Sequence, residues 1–189
     1  MSSNRYSHDS ASDVRGRWQA PTAAGPLRAT VTVPGSKSLT NRELILAAIA
    51  DGPSRLAAPL HSDDSARMID ALRALGVGIE PTPGLGGFGD DLVITPVWPL
   101  QGSTVVDCGQ AGTVMRFVAG LAGFARGDVT LTAHESALHR PMGAMIKALR
   151  DVGVDIDDGG RWALPFVVRG HGHVRGGEVV IDASASSQF

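Results

Sequence analysis

Gly35-Ser36-Lys37-Ser38 sets one lysine and two hydroxyls among small residues, just before a segment of helical composition. Two other stretches have the same character, Gly109-Gln110-Ala111-Gly112-Thr113 and Ser184-Ala185-Ser186-Ser187-Gln188. Small residues let a ligand approach the backbone closely, the first N–H groups of a helix point outward, and the helix dipole favours negative charge there. The chemistry this predicts is the holding of anions. Lys37 is one of only two lysines in the chain, Ser38, Ser186 and Ser187 offer hydroxyl donors, and Arg42 lies four residues beyond Ser38. Arg140 precedes Pro141, a favoured first helical residue, which predicts a guanidinium fork at a fourth helix entrance. Taken singly, such a serine is a helix cap and such an arginine a solvated charge. The argument lies in their recurrence.

Other chemistries fit less well. A phosphate-binding P-loop needs glycine directly before its lysine and another five residues earlier, where Ser36 and Val31 stand. His134 and His139 are five residues apart around Glu135, and His171 and His173 flank a glycine, so neither is the one-face helical pair of a zinc hydrolase. No metal and no cofactor is expected. No Gly-x-Ser-x-Gly elbow or cysteine–histidine nucleophile pair is present.

The elements that must carry these loops can be read from periodicity. Residues 27–33 alternate as a strand, and residues 41–50 have helical composition up to Asp51-Gly52-Pro53. A strand is expected at 55–58. Ser62 is placed to cap a helix with Asp63 and Asp64 in its first turn and an apolar stripe of Met68, Ile69, Leu72 and Leu75, stopped by Gly76. Strands at 77–80 and 91–97 follow. The order then restarts: Ala71-Leu72-Arg73-Ala74-Leu75-Gly76-Val77-Gly78-Ile79 returns 77 residues later as Ala148-Leu149-Arg150-Asp151-Val152-Gly153-Val154-Asp155-Ile156. Gly35 maps to Gly112 at that offset, and Val105-Val106-Asp107 resembles Val180-Ile181-Asp182. The expected fold is mixed α/β (α+β), built of βαβαββ units around a pseudo-threefold. The units span about 27–103 and 104–177, with the start of a third at 178–189, and residues 1–26 form a disordered tail.

The 189 residues are 43% hydrophobic and 19% charged, the composition of a protein with a real core. A net charge of -2 provides no global field for nucleic acid or an anionic membrane. The single cysteine, Cys108, excludes an internal disulfide, and it ends an apolar run, as a buried inert thiol would. Gly, Pro or charge interrupts every apolar run before it reaches spanning length.

Pro34-Gly35-Ser36-Lys37-Ser38-Leu39-Thr40-Asn41-Arg42 resembles the N-terminal signature of the EPSP synthase family. Similarity continues through Ser62-Asp63-Asp64, 109–116, Arg140-Pro141 and 184–189. The resemblance implies transfer of the enolpyruvyl group of phosphoenolpyruvate to the 5-hydroxyl of shikimate-3-phosphate, through a tetrahedral adduct that loses phosphate, without metal or cofactor. It implies that Lys37 touches both substrates and is the catalytic lysine, and that Ser38, Arg42, Ser186 and Ser187 hold shikimate-3-phosphate. Gly112 and Arg140 would receive phosphoenolpyruvate, with Gln188 between the ligands. It further implies a cytoplasmic enzyme, monomeric at full length, with ordinary glyphosate sensitivity at Gly112. The other half of the cleft belongs to a C-terminal domain outside this sequence, so the chain is expected to be an N-terminal fragment, inactive alone. Gln110 departs from the asparagine common in the family.

Two alternatives stand beside this reading. The sister transferase acting on UDP-N-acetylglucosamine shows Lys-Asn where this chain has Lys37-Ser38, and a reactive cysteine where this chain has Glu135. The other is a non-catalytic, anion-binding half-protein.

Overall fold

The structure is a computed structural model that describes residues 20–84, 86–184 and 188. The chain divides into two units, residues 1–33 and 34–189. In the first, residues 20–33 contain neither helix nor strand, and Leu27 is 83% exposed. The strand expected at 27–33 is therefore not formed. Alternation specifies a strand only where a neighbour takes up the ladder hydrogen bonds.

Among its described residues the second unit holds four α-helices, α1 (Lys37–Ala48), α2 (Asp63–Ala74), α3 (Gly112–Ala122) and α4 (Gly143–Asp151). Its strands are β1 (Ser54–Leu56), β2 (Gly78–Thr82), β3 (Asp91–Thr95), β4 (Leu100–Gln101), β5 (Thr104–Asp107), β6 (Ala125–Thr132), β7 (Asp155–Asp157) and β8 (Phe166–His171). One sheet runs β1-β3-β2, all antiparallel. The other runs β4-β6-β8-β7, with β5 also pairing β6 in parallel. The order β6-β8-β7 matches β1-β3-β2, and both sets are antiparallel. The fold is mixed α/β. Helices and sheets enclose one core centred on Leu44, Met68, Leu72, Ile94, Met115, Val118, Leu131, Ile146 and Phe166.

The repeated Ala-Leu-Arg and Gly-Val segments have a single physical explanation. α2 and α4 each end in a Schellman motif: the N–H of Val77 reaches Leu72 O and that of Val154 reaches Leu149 O, at 3.0 and 2.9 Å. Gly76 and Gly153 sit at φ 93° and 96°, the left-handed conformation the motif requires. The arginine of each copy then donates to a carbonyl on the strand that follows, Arg73 to Ile79 and Arg150 to Ile156. Helix stop, strand start and the clasp between them are thus encoded within nine residues.

α1 starts at Lys37, four residues before the apolar pattern begins, because Thr40 N–H already bonds Ser36 O at 2.9 Å. The strand with which the third unit should open does not form over residues 178–182, and Val180 is 90% exposed. What does form is the turn beyond it. Asp182 Oδ1 accepts from Ser184 N–H as Asp107 Oδ1 accepts from Gly109 N–H, both at 2.9 Å. The same local aspartate turn opens both loops. The hydrogen bonds to Ser184 lower the Asp182 carboxyl below its ordinary value.

Two buried aspartates stabilise the sheet ends. Asp91 accepts from the Ala58 N–H and from Arg55, each at 2.8 Å, and these bonds lower its pKa. Burial pushes the Asp158 carboxyl up, but bonds from Arg150, Trp162 N–H and Gly160 N–H outweigh it and bring it down to about 2. A carboxyl depressed on folding contributes stability above its unfolded pKa and loses it as pH falls through the folded one. Asp158→Asn is therefore expected to destabilise the protein by roughly 2 kcal/mol at pH 7. The gap between variant and parent should close between pH 4 and 2, as thermal unfolding across that range would record.

Candidate functional site

Among the described residues, Lys37, Ser38, Asp64, Gln110, Gly112, Thr113, Arg116, Arg140 and Gln188 line one cleft of about 500 Å³. Its floor is the first turns of α1 and α3. Ser36 and Ala111 occupy their N-cap positions, and neither gives a side-chain capping bond. The first N–H groups of both helices therefore lack the usual internal acceptor. α2 is the contrast, since Ser62 and Ser65 cap it reciprocally. An uncapped helix start bordered by cations is suited to an anion.

Three cations border the cleft. Lys37 Nζ lies 3.1 Å from Asp64 Oδ2, a pair with an exposed lysine and a half-buried carboxylate, and a bound anion can compete for the lysine. Arg140 Nη1 donates to Gln110 O at 2.7 Å, and Arg116 Nη1 donates to Gly112 O and to Gln188 Oε1 at 3.2 and 3.0 Å. Burial, and then the charge of Arg140, lower the pKa of Arg116. Two guanidiniums that raise each other's energy in a partly dry cleft are relieved by an anion between them. Gly112 lies at their meeting point: a methyl there would stand 3.0 Å from Arg116 Nη1, 3.2 Å from Gln188 Oε1 and 3.6 Å from Arg140 Nη1.

The sequence-predicted residues divide into three groups. Lys37, Ser38, Gly112, Arg140 and Gln188 converge on the cleft. Arg42 does not line it; its guanidinium bonds Ser38 O and lies 5.4 Å over the Phe117 ring. Ser186 and Ser187 lie outside the described residues. One local expectation is corrected. Pro141 is not the first residue of α4, which begins at Gly143, because Met142 is its N-cap, non-helical at φ -121° and ψ 0° with its N–H held by Trp162 O.

Sequence reasoning assigned no role to Arg116, although a signal existed. It sits four residues after Gly112, as Arg42 sits four after Ser38, and both fold back on that carbonyl at 3.2 Å. Helical side chains lean toward the N-terminus, so an arginine one turn in covers the opening. Gln110 is exposed, and its backbone carbonyl is what holds Arg140.

A neighbouring cleft of about 600 Å³ has the wrong sign for an anion, with Asp63, Asp64 and Asp107 facing a single arginine, Arg67, that already bonds Asp107 at 2.6 Å. Cys108 is buried, and its thiol is pushed up to about 12, first by burial and then by Asp107. It is not a nucleophile at neutral pH. His134 Nδ1 is used by Ser136 N–H, and no cluster of three metal-ligating side chains occurs among the described residues.

The mixed α/β fold that carries this cationic cleft is enolpyruvyl transferase-like, as its superposition on solved EPSP synthases shows. Residues 21–189 match the family described as EPSP synthase (3-phosphoshikimate 1-carboxyvinyltransferase), and the chain belongs to that family. It is 53% identical over 176 residues to a 3-phosphoshikimate 1-carboxyvinyltransferase of Kocuria rhizophila, covering 91% of this chain and 40% of that protein. Two structures of EPSP synthase from Acinetobacter baumannii superpose with TM-scores of 0.66 and 0.65 at 30% identity, covering 75% and 74% of this chain and 32% of theirs. The chain thus spans well under half the length of these relatives.

Gly112→Ala narrows the cleft where its cations meet, and no core contact is disturbed. Anion affinity should fall about 10-fold, with little change in melting temperature. Calorimetric titration beside a thermal melt measures both.

Proposed function

We propose that this chain contributes the N-terminal share of the active site of a 3-phosphoshikimate 1-carboxyvinyltransferase. The reaction joins phosphoenolpyruvate to the 5-hydroxyl of shikimate-3-phosphate and releases phosphate, the step of aromatic amino-acid synthesis that yields EPSP. The observation that carries this reading is the convergence of Lys37, Gly112, Arg140 and Gln188 on one cleft.

In this reading Lys37 spans the two ligands, leaving Asp64 as substrate enters. Ser38, Arg42, Ser186 and Ser187 hold shikimate-3-phosphate, Gly112 and Arg140 receive phosphoenolpyruvate, and Gln188 lies between. Positive charge fixed before the reaction offsets the charge that develops as the tetrahedral adduct forms, with no reorganisation at that moment. Both substrates are anions, which fits a cleft bordered by Lys37, Arg116 and Arg140. The remaining ligands, and the group that moves protons, come from polypeptide corresponding to the relatives' additional length. A cytoplasmic location fits this role; no helix among the described residues is long and apolar enough to cross a membrane.

The test is phosphate release from the two substrates. It is assayed with residues 1–189 alone and with the chain extended to the length of its relatives. Turnover by the extended protein only is expected, and phosphate release by residues 1–189 alone would defeat the division of labour. In the extended protein Lys37→Met should lower kcat by roughly 100-fold or more, the scale of a lost electrostatic donor.

A further inference from the structure

Residues 58–60 form a strap between β1 and α2 that meets the Lys37 turn backbone to backbone. Ala58 O lies so close to Gly35 that a methyl on that glycine would stand 2.9 Å from it, and 3.4 Å from Leu60 N. Gly35 leads directly into Ser36, the N-cap of α1, and Lys37, its first residue. Leu60 N–H donates to Thr40 Oγ1 in the first turn of α1 at 3.0 Å. Leu60 O accepts from Ser65 Oγ at 2.7 Å, in the first turn of α2 beside Asp64. Both members of the Lys37–Asp64 pair thus rest on the same short strap.

The strap is not relaxed. Ala58 stands at φ 47°, the left-handed region that a residue with a Cβ seldom adopts. Such a backbone persists only where its surroundings hold it. The holder is Asp91, the first residue of β3, whose buried carboxylate accepts from Ala58 N–H through Oδ1 at 2.8 Å. Oδ2 is bonded by Arg55, which fixes the orientation of the carboxylate. Without that acceptor Ala58 relaxes toward a commoner conformation and its carbonyl swings. No flexible side chain stands between that carbonyl and Gly35 to absorb the movement.

We propose that Asp91 is a positioning residue of the cleft, acting through the 58–60 strap to set where Lys37 stands. Asp91 does not itself line the cleft. The inference rests on the functional reading above, which gives Lys37 contact with both ligands. A loss at Asp91 should therefore register as a loss of what Lys37 contributes to turnover, over and above any loss of stability.

The test is a double-mutant cycle in the extended protein, with Asp91→Ala made in the parent and in Lys37→Met. Steady-state kinetics and melting temperatures are recorded for each. Turnover by the parent, and its fall in Lys37→Met, are read first; the absence of either would refute the functional reading and this inference with it. Given both, Asp91→Ala should lower kcat about 10-fold in the parent, the scale of a displaced group. In Lys37→Met it should change kcat by no more than about 2-fold, because no lysine is left to displace. The fall in melting temperature should be the same in both backgrounds. Asp91→Asn keeps an oxygen for Ala58 N–H and should hold kcat within about 3-fold of the parent. If Asp91→Ala folds poorly, Thr40→Val carries the cycle, since it keeps the shape of the side chain and removes the bond to Leu60. A kcat unchanged by Asp91→Ala in the parent, beside a lower melting temperature, would overturn the proposal and leave Asp91 a purely structural role. So would a fall in kcat of equal size in both backgrounds, or a loss in Asp91→Asn as large as in Asp91→Ala.

Discussion

Like charges resist being gathered, and the cleft gathers them. Arg116 and Arg140 are close enough to lower the pKa of the former, and Lys37 borders the same space. Backbone carbonyls make this tolerable: Gly112 O accepts from Arg116, and Gln110 O accepts from Arg140. Gln110 lies in the loop between β5 and α3 and Gly112 is the first residue of α3, so the turn into that helix also anchors the cations around it. Repulsion that remains without a ligand favours an anion when one arrives. The core beneath, from Leu44 to Phe166, keeps the helix starts from moving apart to relieve it.

That requirement gives a use to the uncapped starts of α1 and α3, whereas α2 is fully capped and α4, also without a side-chain cap at Met142, starts outside the cleft. α2 needs only to end cleanly, and Ser62 with Ser65 satisfies its N–H groups. α1 and α3 leave theirs without a side-chain cap, at a cost in local stability on the order of 1 kcal/mol for each missing cap. Their retention follows from packing elsewhere. α1, α2 and α3 pack on one another, and α2 and α4 end in the arginine-clasped Schellman turns.

Most of the fold was legible from the sequence where the instruction is local. The Ser62 cap and the Gly76 stop, repeated at Gly153, depend on residues within a few positions and appear where spacing places them, and the Asp107 and Asp182 turns are equally local. Residues 27–33 alternate and 180–182 resemble 105–107, yet neither segment forms a strand, because a ladder partner is not a local property. The site shows the same division. Lys37, Ser38, Gly112, Arg140 and Gln188 were readable from recurring small-residue loops and a family signature, and they meet in the cleft. Arg116 lies inside a helix and Asp91 at the start of a strand, where composition reads as ordinary surface, and only the folded chain reveals what they touch.

α1 precedes one three-stranded set and α3 the other, so the cleft floor is shared by two copies of the same architecture, and neither copy alone carries it. A ligand bound there adds its binding energy to the docking of the copies, while the Schellman-clasped hairpins within each gain nothing directly. Occupancy should therefore slow amide exchange most along the α1–α3 seam. The cleft is in that sense a joint as well as a site, and the tightness of the joint is read out as affinity.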